Sequence, residues 1–332
     1  MLTLYDLKSV PRTWRTAFIP KKSGGKRKLQ IPNDDLKNLQ HDILQYIYTL
    51  VDSCKLKISS VAHGFIPFKN TMTSLLQHDR ESEVFICADI KDFFDNVNSE
   101  FTEAKFLDGG VEKELTKEII GACTNEGHFP QGGPASPYLT NITMFDADCQ
   151  IAAYAKKHGF KYTRYADDMT FSIRETTPEI LKSLRRDENN RNSKNPYMWF
   201  LHGVDTILKM TMGLRLNHKK DHVIFRGSKC KPHILGICIR QDGKGYNAIR
   251  KFRNNTRAGI CNLYHKVIVN QHGKIEYDDW HAWASLCGRI QYMCDCRLPS
   301  DEECNGFDPA IQLKYYQPLK ELFDEQRSQL SS

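Results

Sequence analysis

The run Tyr162-Thr163-Arg164-Tyr165-Ala166-Asp167-Asp168-Met169-Thr170-Phe171-Ser172 narrows most sharply what this chain can fold into. β-Branched and aromatic residues fill both arms, which favours two short strands. Ala166, Asp167 and Asp168 stand between them, so the run reads as a β-hairpin with two carboxylates at its turn. Adjacent Asp residues repel each other, and a tight turn is better served by Asn-Gly or Asp-Gly. A pair that works against its own turn makes sense where a divalent cation neutralises it, and hard oxygen ligands select Mg²⁺ or Mn²⁺. An ordinary acidic turn is the plain alternative, and the surrounding motifs decide between the two.

Upstream, Val84-Phe85-Ile86-Cys87-Ala88-Asp89 is an apolar run closed by a carboxylate. That is the pattern of a buried strand delivering Asp89 at its C-terminal end. Between the two acidic segments, Gln131-Gly132-Gly133-Pro134-Ala135-Ser136-Pro137 opens a helical pattern. In this order and at about this separation, the three motifs resemble those of reverse transcriptases. The resemblance implies an α+β right-hand polymerase with fingers, a palm built as an antiparallel sheet with helices on one face, and a helical thumb. The expected divisions are 1–80 for the N-terminal region and fingers, 81–240 for the catalytic palm with interleaved fingers helices, and 241–332 for the thumb.

Composition agrees with such a chain. At 332 residues it exceeds one ordinary domain, so two or three subdomains are expected. With 40% hydrophobic and 26% charged residues it reads as soluble and globular, and no run of about 18 apolar residues predicts a membrane span. The start, Met1-Leu2-Thr3-Leu4-Tyr5-Asp6, lacks the apolar core of a secretory signal. Eleven scattered Cys then read as thiols in a reducing compartment, which makes the expected location cytoplasmic. The net charge of +7 permits a nucleic-acid partner without demonstrating one.

Taken in order, residues 1–20 read as a small helix and a connector. Ser23-Gly24-Gly25 is a turn, and Arg27 to Ile31 alternates like a half-exposed strand. A basic hairpin kept soluble by its charge accounts for this by itself. The resemblance to the fingers hairpin implies more: Arg27 with Lys26 on the nucleoside triphosphate, and Lys28 on template phosphates. Asn33-Asp34-Asp35 caps a helix with Leu36, Leu39, Ile43 and Leu44 on one face. Gly64-Phe65 resembles the stretch that packs near the template. His63 and His78 read equally as surface or capping residues and as nucleic-acid contacts. Asp92 and Asp95 read as solvated or capping residues. Phe94 falls where the family places a ring against the ribose 2′-OH; the bland reading is a core Phe beside Phe93.

Residues 100–128 read as helical, with a break at Gly109-Gly110. Gln131 and Gly132 belong to a loop that lets backbone approach a ligand, and the resemblance makes them nucleotide contacts. Ser136-Pro137 starts a helix that runs through Leu139, Ile142, Phe145 and Ile151. Arg185 to Lys194 reads as an exposed loop. Lys220, with Lys219 second, matches the Lys that protonates the leaving pyrophosphate. The run from Ile234 to Ile239 reads as a buried strand resembling the primer grip, with Gly236 at the primer. Arg250, Lys251, Arg253 and Arg257 lie on an amphipathic helix expected to hold duplex phosphates, and Tyr165 is expected beside nucleic acid. Cys294, Cys296 and Cys304 lack the paired spacing of a zinc site and read as thiols.

The implied reaction is nucleotidyl transfer assisted by two Mg²⁺ ions roughly 4 Å apart, for which Mn²⁺ substitutes. Asp89 and Asp167 are the expected bridging ligands, with Asp168 and the Ile90 carbonyl assisting. The implied partners are a structured noncoding RNA template, a DNA product or primer, dNTPs and an effector protein, with no membrane. The nearest pattern is that of retron enzymes, next to abortive-infection types. Two departures stand against the retron pattern: Ser74-Leu75-Leu76-Gln77-His78 replaces Asn-Ala-x-x-His, and Ile234-Leu235-Gly236 replaces Val-Thr-Gly. A template-independent or protein-primed polymerase, or a non-catalytic RNA-binding scaffold, are the alternatives.

Overall fold

The computed structural model describes residues 2–20, 24–79, 81–174, 197–225, 233–239, 246–248, 250–296 and 311–331. The chain divides into two units, Met1–Phe225 and Arg226–Ser332. In the first, Thr3 caps α1 (Leu4–Ser9). The expected connector is instead a strand, β1 (Trp14–Pro20), paired antiparallel with β2 (Lys26–Pro32) from Trp14↔Pro32 to Pro20↔Lys26. The physical reason is pairing: Trp14, Thr16, Phe18 and Ile19 suit a pleated ladder, and β2 has no other strand neighbour. In α2 (Asp34–Asp52) the Asn33 side chain accepts the Leu36 amide at 3.1 Å, and Leu36, Leu39, Ile43, Ile47 and Leu50 are buried.

The chain continues through α3 (Thr71–Leu75), β3 (Val84–Asp89), α4 (Phe93–Asn96), α5 (Ser99–Asp108) and α6 (Lys113–Cys123). Gly109 and Gly110 separate α5 from α6 as expected, Gly110 at φ +75°. Pro137 sits in the first turn of α7 (Ser136–Thr143). The helix expected to run on to Ile151 is divided at Met144, whose ψ of −3° leaves the helical path, and α8 (Phe145–Lys157) follows. Then come β4 (Lys161–Tyr165), β5 (Asp168–Ile173), α9 (Met198–Met212), closed by Gly213 at φ +68°, and β6 (His222–Phe225).

The central sheet has the order β4-β5-β3-β6, antiparallel throughout. Strand alternation sorts its side chains onto two faces. Tyr162, Met169, Phe171, Val84 and Ile86 lie on one, buried. There the Tyr162 ring stacks on Phe171 at 4.8 Å, and Phe171 meets the edge of Phe200 from α9 at 5.1 Å. The α+β class therefore stands.

The opposite face is polar. His78 Nδ1 lies 2.7 Å from Ser172 Oγ and its Nε2 lies 2.8 Å from Thr163 Oγ1, while Ser74 of α3 donates to Thr163 at 2.9 Å. His63 Nδ1 lies 2.9 Å from Thr73 Oγ1. Both imidazoles are buried, so the surface and nucleic-acid readings of His63 and His78 are corrected: His78 ties the segment before β3 to the sheet, and His63 ties its own loop to α3. Burial, with Lys161 and His63 adding, lowers the His78 pKa to about 3. An unfolded imidazole binds its proton near pH 6.5. Between those values the unfolded chain holds the extra proton, so stability falls as pH drops through this window, by up to about 1.4 kcal/mol per pH unit. His78→Gln removes that dependence. Its Tm deficit relative to wild type should narrow from pH 7.5 to pH 4.5, and a constant deficit would show that His78 carries no linkage.

In the second unit, the strand expected over 234–239 is a hairpin of β7 (His233–Ile234) and β8 (Ile237–Ile239), extended by β9 (Tyr246–Ala248). Leu235 at φ +50° and Gly236 at φ +81° form its two-residue turn, since both central positions of such a turn take positive φ. The Tyr292 hydroxyl donates to the Gly236 carbonyl at 3.4 Å. The helices are α10 (Arg250–Tyr264), continued as a π-helix over His265–Asn270, then α11 (Tyr277–Asp295) and α12 (Gln317–Ser331). Ile260, Leu263, Val267, Leu286 and Phe323 are buried, and Trp283 stacks on Phe323 at 5.0 Å. Arg250 and Lys251 are exposed, whereas Arg253 and Arg257 are half-buried. Cys294 and Cys296 are not in disulfides. Arg185 to Lys194 and Cys304 lie outside the described residues. No helix among the described residues is long and apolar enough to cross a membrane.

Candidate active site

The apolar run of β3 ends at Asp89, and the antiparallel register sets it directly across from Asp168, which in turn pairs with Tyr165. Cross-strand partners share a face, so Asp89, Asp168 and Tyr165 lie together on the polar side of the sheet. Only Ala166 and Asp167 connect β4 to β5, with Ala166 at φ +56°, an uncommon conformation for a residue other than Gly. The turn is held at two points: Arg164 Nη1 donates to the Ala166 carbonyl at 2.9 Å, and the Ile90 amide to the Asp167 carbonyl at 2.9 Å.

A further segment is drawn to the same strand end. The Asn217 amide donates to the Asp89 carbonyl at 2.8 Å and the Lys91 amide to the Arg215 carbonyl at 2.9 Å, flanking the Ile90↔Leu216 bridge. Asp205 of α9 anchors that segment by accepting the Leu216 amide at 2.7 Å and Arg215 Nε at 2.9 Å. Lys220 then reaches both oxygens of Asp89, each at 2.8 Å. Asp89, Ile90, Tyr165, Asp167, Asp168 and Lys220 are thus brought together from three stretches of chain.

Three acids beside one ammonium form a strained charge set. Burial first, then Asp167 and Asp89, raise Asp168 to about 6 against the pull of Lys220. Asp167 is raised as well, chiefly by burial, against its own backbone hydrogen bond and with Asp89 adding. For Lys220, burial works against the charge, yet the Asp89 hydrogen bond and the three carboxylates hold its pKa above the ordinary lysine value. Hard oxygen donors on adjacent strand ends, short of positive charge, suit a divalent cation of the Mg²⁺ type. Among the described residues no three such side chains converge closely enough to hold an ion as they stand. Asp89 is engaged by Lys220, which a cation bound at Asp89 would compete with.

The other expected site residues fall into separate places. The Gln131 carbonyl accepts the Gln30 amide at 3.0 Å, which sets Gln131 and Gly132 against the hairpin that carries Lys26, Arg27 and Lys28. Gly132 is at φ +126°, and a Cβ there would lie 2.8 Å from the Gln30 carbonyl oxygen. Arg27, Lys26 and Lys28 are exposed and form no ion pair among the described residues. Phe94 is half-buried with its ring 5.3 Å from the buried Phe93, edge-on. Gly236, Arg250, Lys251, Arg253 and Arg257 belong to the second unit.

Gly64 closes the site from the side. His63 donates its amide to the Arg164 carbonyl at 2.8 Å, so this segment runs along β4. A Cβ at Gly64 would lie 2.7 Å from the Ala166 backbone nitrogen. Gly64→Ala therefore pushes on the carboxylate turn itself, and should lower stability by about 1–3 kcal/mol. Thermal unfolding checks this, and a Tm unchanged within error would mean the turn has room to move.

Sequence reading passed over Arg164 and Asp148, the most deeply buried charges of the site. The signal was parity: in β4, Arg164 stands two residues from Tyr162, on the apolar side of the strand, where a charge must find a partner.

A family model described as "Reverse transcriptase (RNA-dependent DNA polymerase)" matches residues 19–237. Among curated relatives, the retron Mx162 reverse transcriptase of Myxococcus xanthus is 28% identical over 258 residues, covering 72% of this chain and 50% of that protein. The retron Ec86 reverse transcriptase of Escherichia coli is 26% identical over 266 residues, 80% of this chain and 73% of that protein. The chain spans half the length of the first of these. Among solved structures, telomerase from Candida albicans with a fragment of telomeric RNA aligns at TM-score 0.49 and 11% identity, over 88% of this chain and 55% of that one.

Proposed function

The chain belongs to the reverse transcriptase family, and from that premise we propose that it is an RNA-directed DNA polymerase copying a structured noncoding RNA into DNA, in a retron or another phage-defence system. The observation that carries the reading is the register of Asp89 against Asp168 beside the Asp167 turn, with Lys220 on Asp89. The resemblance to the retron Mx162 and Ec86 reverse transcriptases supports the retron setting over the abortive-infection one.

Asp89, Asp167 and Asp168, with the Ile90 carbonyl, hold the cations in this reading. Bound there, Mg²⁺ or Mn²⁺ supplies charge neutralisation at the α-phosphate and a lowered pKa at the primer 3′-hydroxyl. In this reading Lys220, freed from Asp89, gives its proton to the departing pyrophosphate. Arg27 and Lys26 hold the triphosphate, Gln131 and Gly132 line the floor under the nucleotide, and Phe94 excludes the ribose 2′-OH. Lys28 and Tyr165 meet the template. Gly236, at the end of the palm, holds the primer end, and Arg250, Lys251, Arg253 and Arg257 hold duplex phosphates from a thumb at 241–332, with fingers at 1–80 and palm at 81–240. The working compartment is the cytoplasm, and an effector protein completes the system.

Sequencing of the nucleic acid that copurifies with wild type and with the double variant Asp167→Asn/Asp168→Asn tests this. Wild type is expected to carry DNA complementary to one defined RNA, and the variant only that RNA. DNA without a matching template would support untemplated or protein-primed synthesis. The same RNA in both, with no DNA, would leave a scaffold.

A further inference from the structure

A guanidinium with no access to solvent is expensive, and in this one each of the three nitrogens donates a hydrogen bond. Arg164 and its partner Asp148 on α8 are both 0% exposed. Arg164 Nε donates to Asp148 Oδ1 at 2.9 Å and Nη2 to Oδ2 at 2.7 Å, the bidentate fork that only Arg supplies. Tyr162 donates its hydroxyl to the same carboxylate at 3.0 Å. The remaining Nη1 donates to the Ala166 carbonyl at 2.9 Å, immediately before Asp167. The guanidinium carbon lies 6.0 Å from the centre of the Phe93 ring, whose edge contact carries Phe94.

One side chain therefore touches both halves of the chemistry proposed above: the turn that presents Asp167 and Asp168, and the ring pair ending in Phe94. Ala166, at φ +56°, is held by this bond rather than by its own preference. We infer that Arg164, locked by Asp148, is a positioning residue that sets the carboxylate turn and the Phe93–Phe94 pair in a single register, so that cation affinity and sugar selectivity depend on the same buried ion pair. The sugar part rests on the polymerase reading; the cation part does not.

Arg164→Lys keeps the charge but loses the fork, and Lys cannot reach Asp148 and Ala166 together. Two readouts go beyond folding. Mn²⁺ binding, followed by electron paramagnetic resonance, should weaken about tenfold, in line with the 10–100-fold cost of disturbing groups that orient metal ligands. In primer extension on an RNA template, kcat per active site should fall about 10²-fold with KM for dNTP nearly unchanged, since the triphosphate contacts are elsewhere. The preference for dNTP over rNTP should drop about tenfold. Tyr162→Phe, which removes one hydrogen bond to Asp148 and no charge, should shift Mn²⁺ binding and kcat in the same direction by roughly fivefold. It decides the question should Arg164→Lys not fold. A folded Arg164→Lys, or failing that Tyr162→Phe, with wild-type Mn²⁺ affinity, kcat and sugar preference overturns the inference and leaves the pair purely structural. A wild type that binds Mn²⁺ but extends no primer overturns the polymerase reading, and the Mn²⁺ arm still decides the positioning of the turn.

Discussion

Asp167→Asn is expected to lower nucleotidyl transfer by roughly three orders of magnitude in single-turnover primer extension, while the protein stays folded with an equal or higher Tm. The substitution preserves shape and hydrogen bonding and deletes one charge from a set that already carries too much. Burial raises Asp167, and Asp167 in turn helps raise Asp168 to about 6, so the ionised turn is a cost in the cation-free protein. Relieving it stabilises the fold even as it disables the site. Asp89→Asn is expected to lower turnover to the same degree with the opposite thermal sign, because Lys220 keeps one acceptor but loses the carboxylate charge and the second of its two 2.8 Å contacts. The pair of variants separates catalysis from folding. Activity within tenfold of wild type for either one would remove these carboxylates from the chemistry.

The second large effect is on selectivity. Phe94→Val is expected to lower the preference for dNTP over rNTP by about 10²-fold, with little loss of dNTP turnover, because a half-buried ring is replaced by a smaller aliphatic side chain that leaves space for a 2′-hydroxyl. Its neighbour provides the contrast. Phe93 is 2% exposed and packs in the core, so Phe93→Val should cost about 1–3 kcal/mol of stability by cavity formation. Competition between labelled dNTP and rNTP, with thermal melts of both variants, separates the roles. Unchanged sugar preference in Phe94→Val would mean the ring is only packing.

Local pattern made much of this protein legible before any tertiary contact was known. An apolar run closed by Asp89 reads as a buried strand, Tyr and Thr around Ala-Asp-Asp read as a hairpin, and Asn33 before two acids reads as a helix cap. Each is a short-range consequence of side-chain shape and backbone hydrogen bonding, and each stands where expected. Residues 14–20 and 234–239 were misjudged because a strand is defined by its partner and a turn by its φ values, neither of which hydrophobic pattern states. Burial was the other hidden quantity. His78 and Arg164 are polar in sequence and interior in the fold, because Ser172, Thr163 and Asp148, distant or on another element, supply the hydrogen bonds that make burial tolerable. Which residues are candidates for the chemistry could be read from the chain alone, since charge and local conformation are carried residue by residue. That Lys220 meets Asp89, and that Asp148 buries and locks the guanidinium beside the turn, followed from packing, because those contacts join stretches that the folded chain brings within 3 Å.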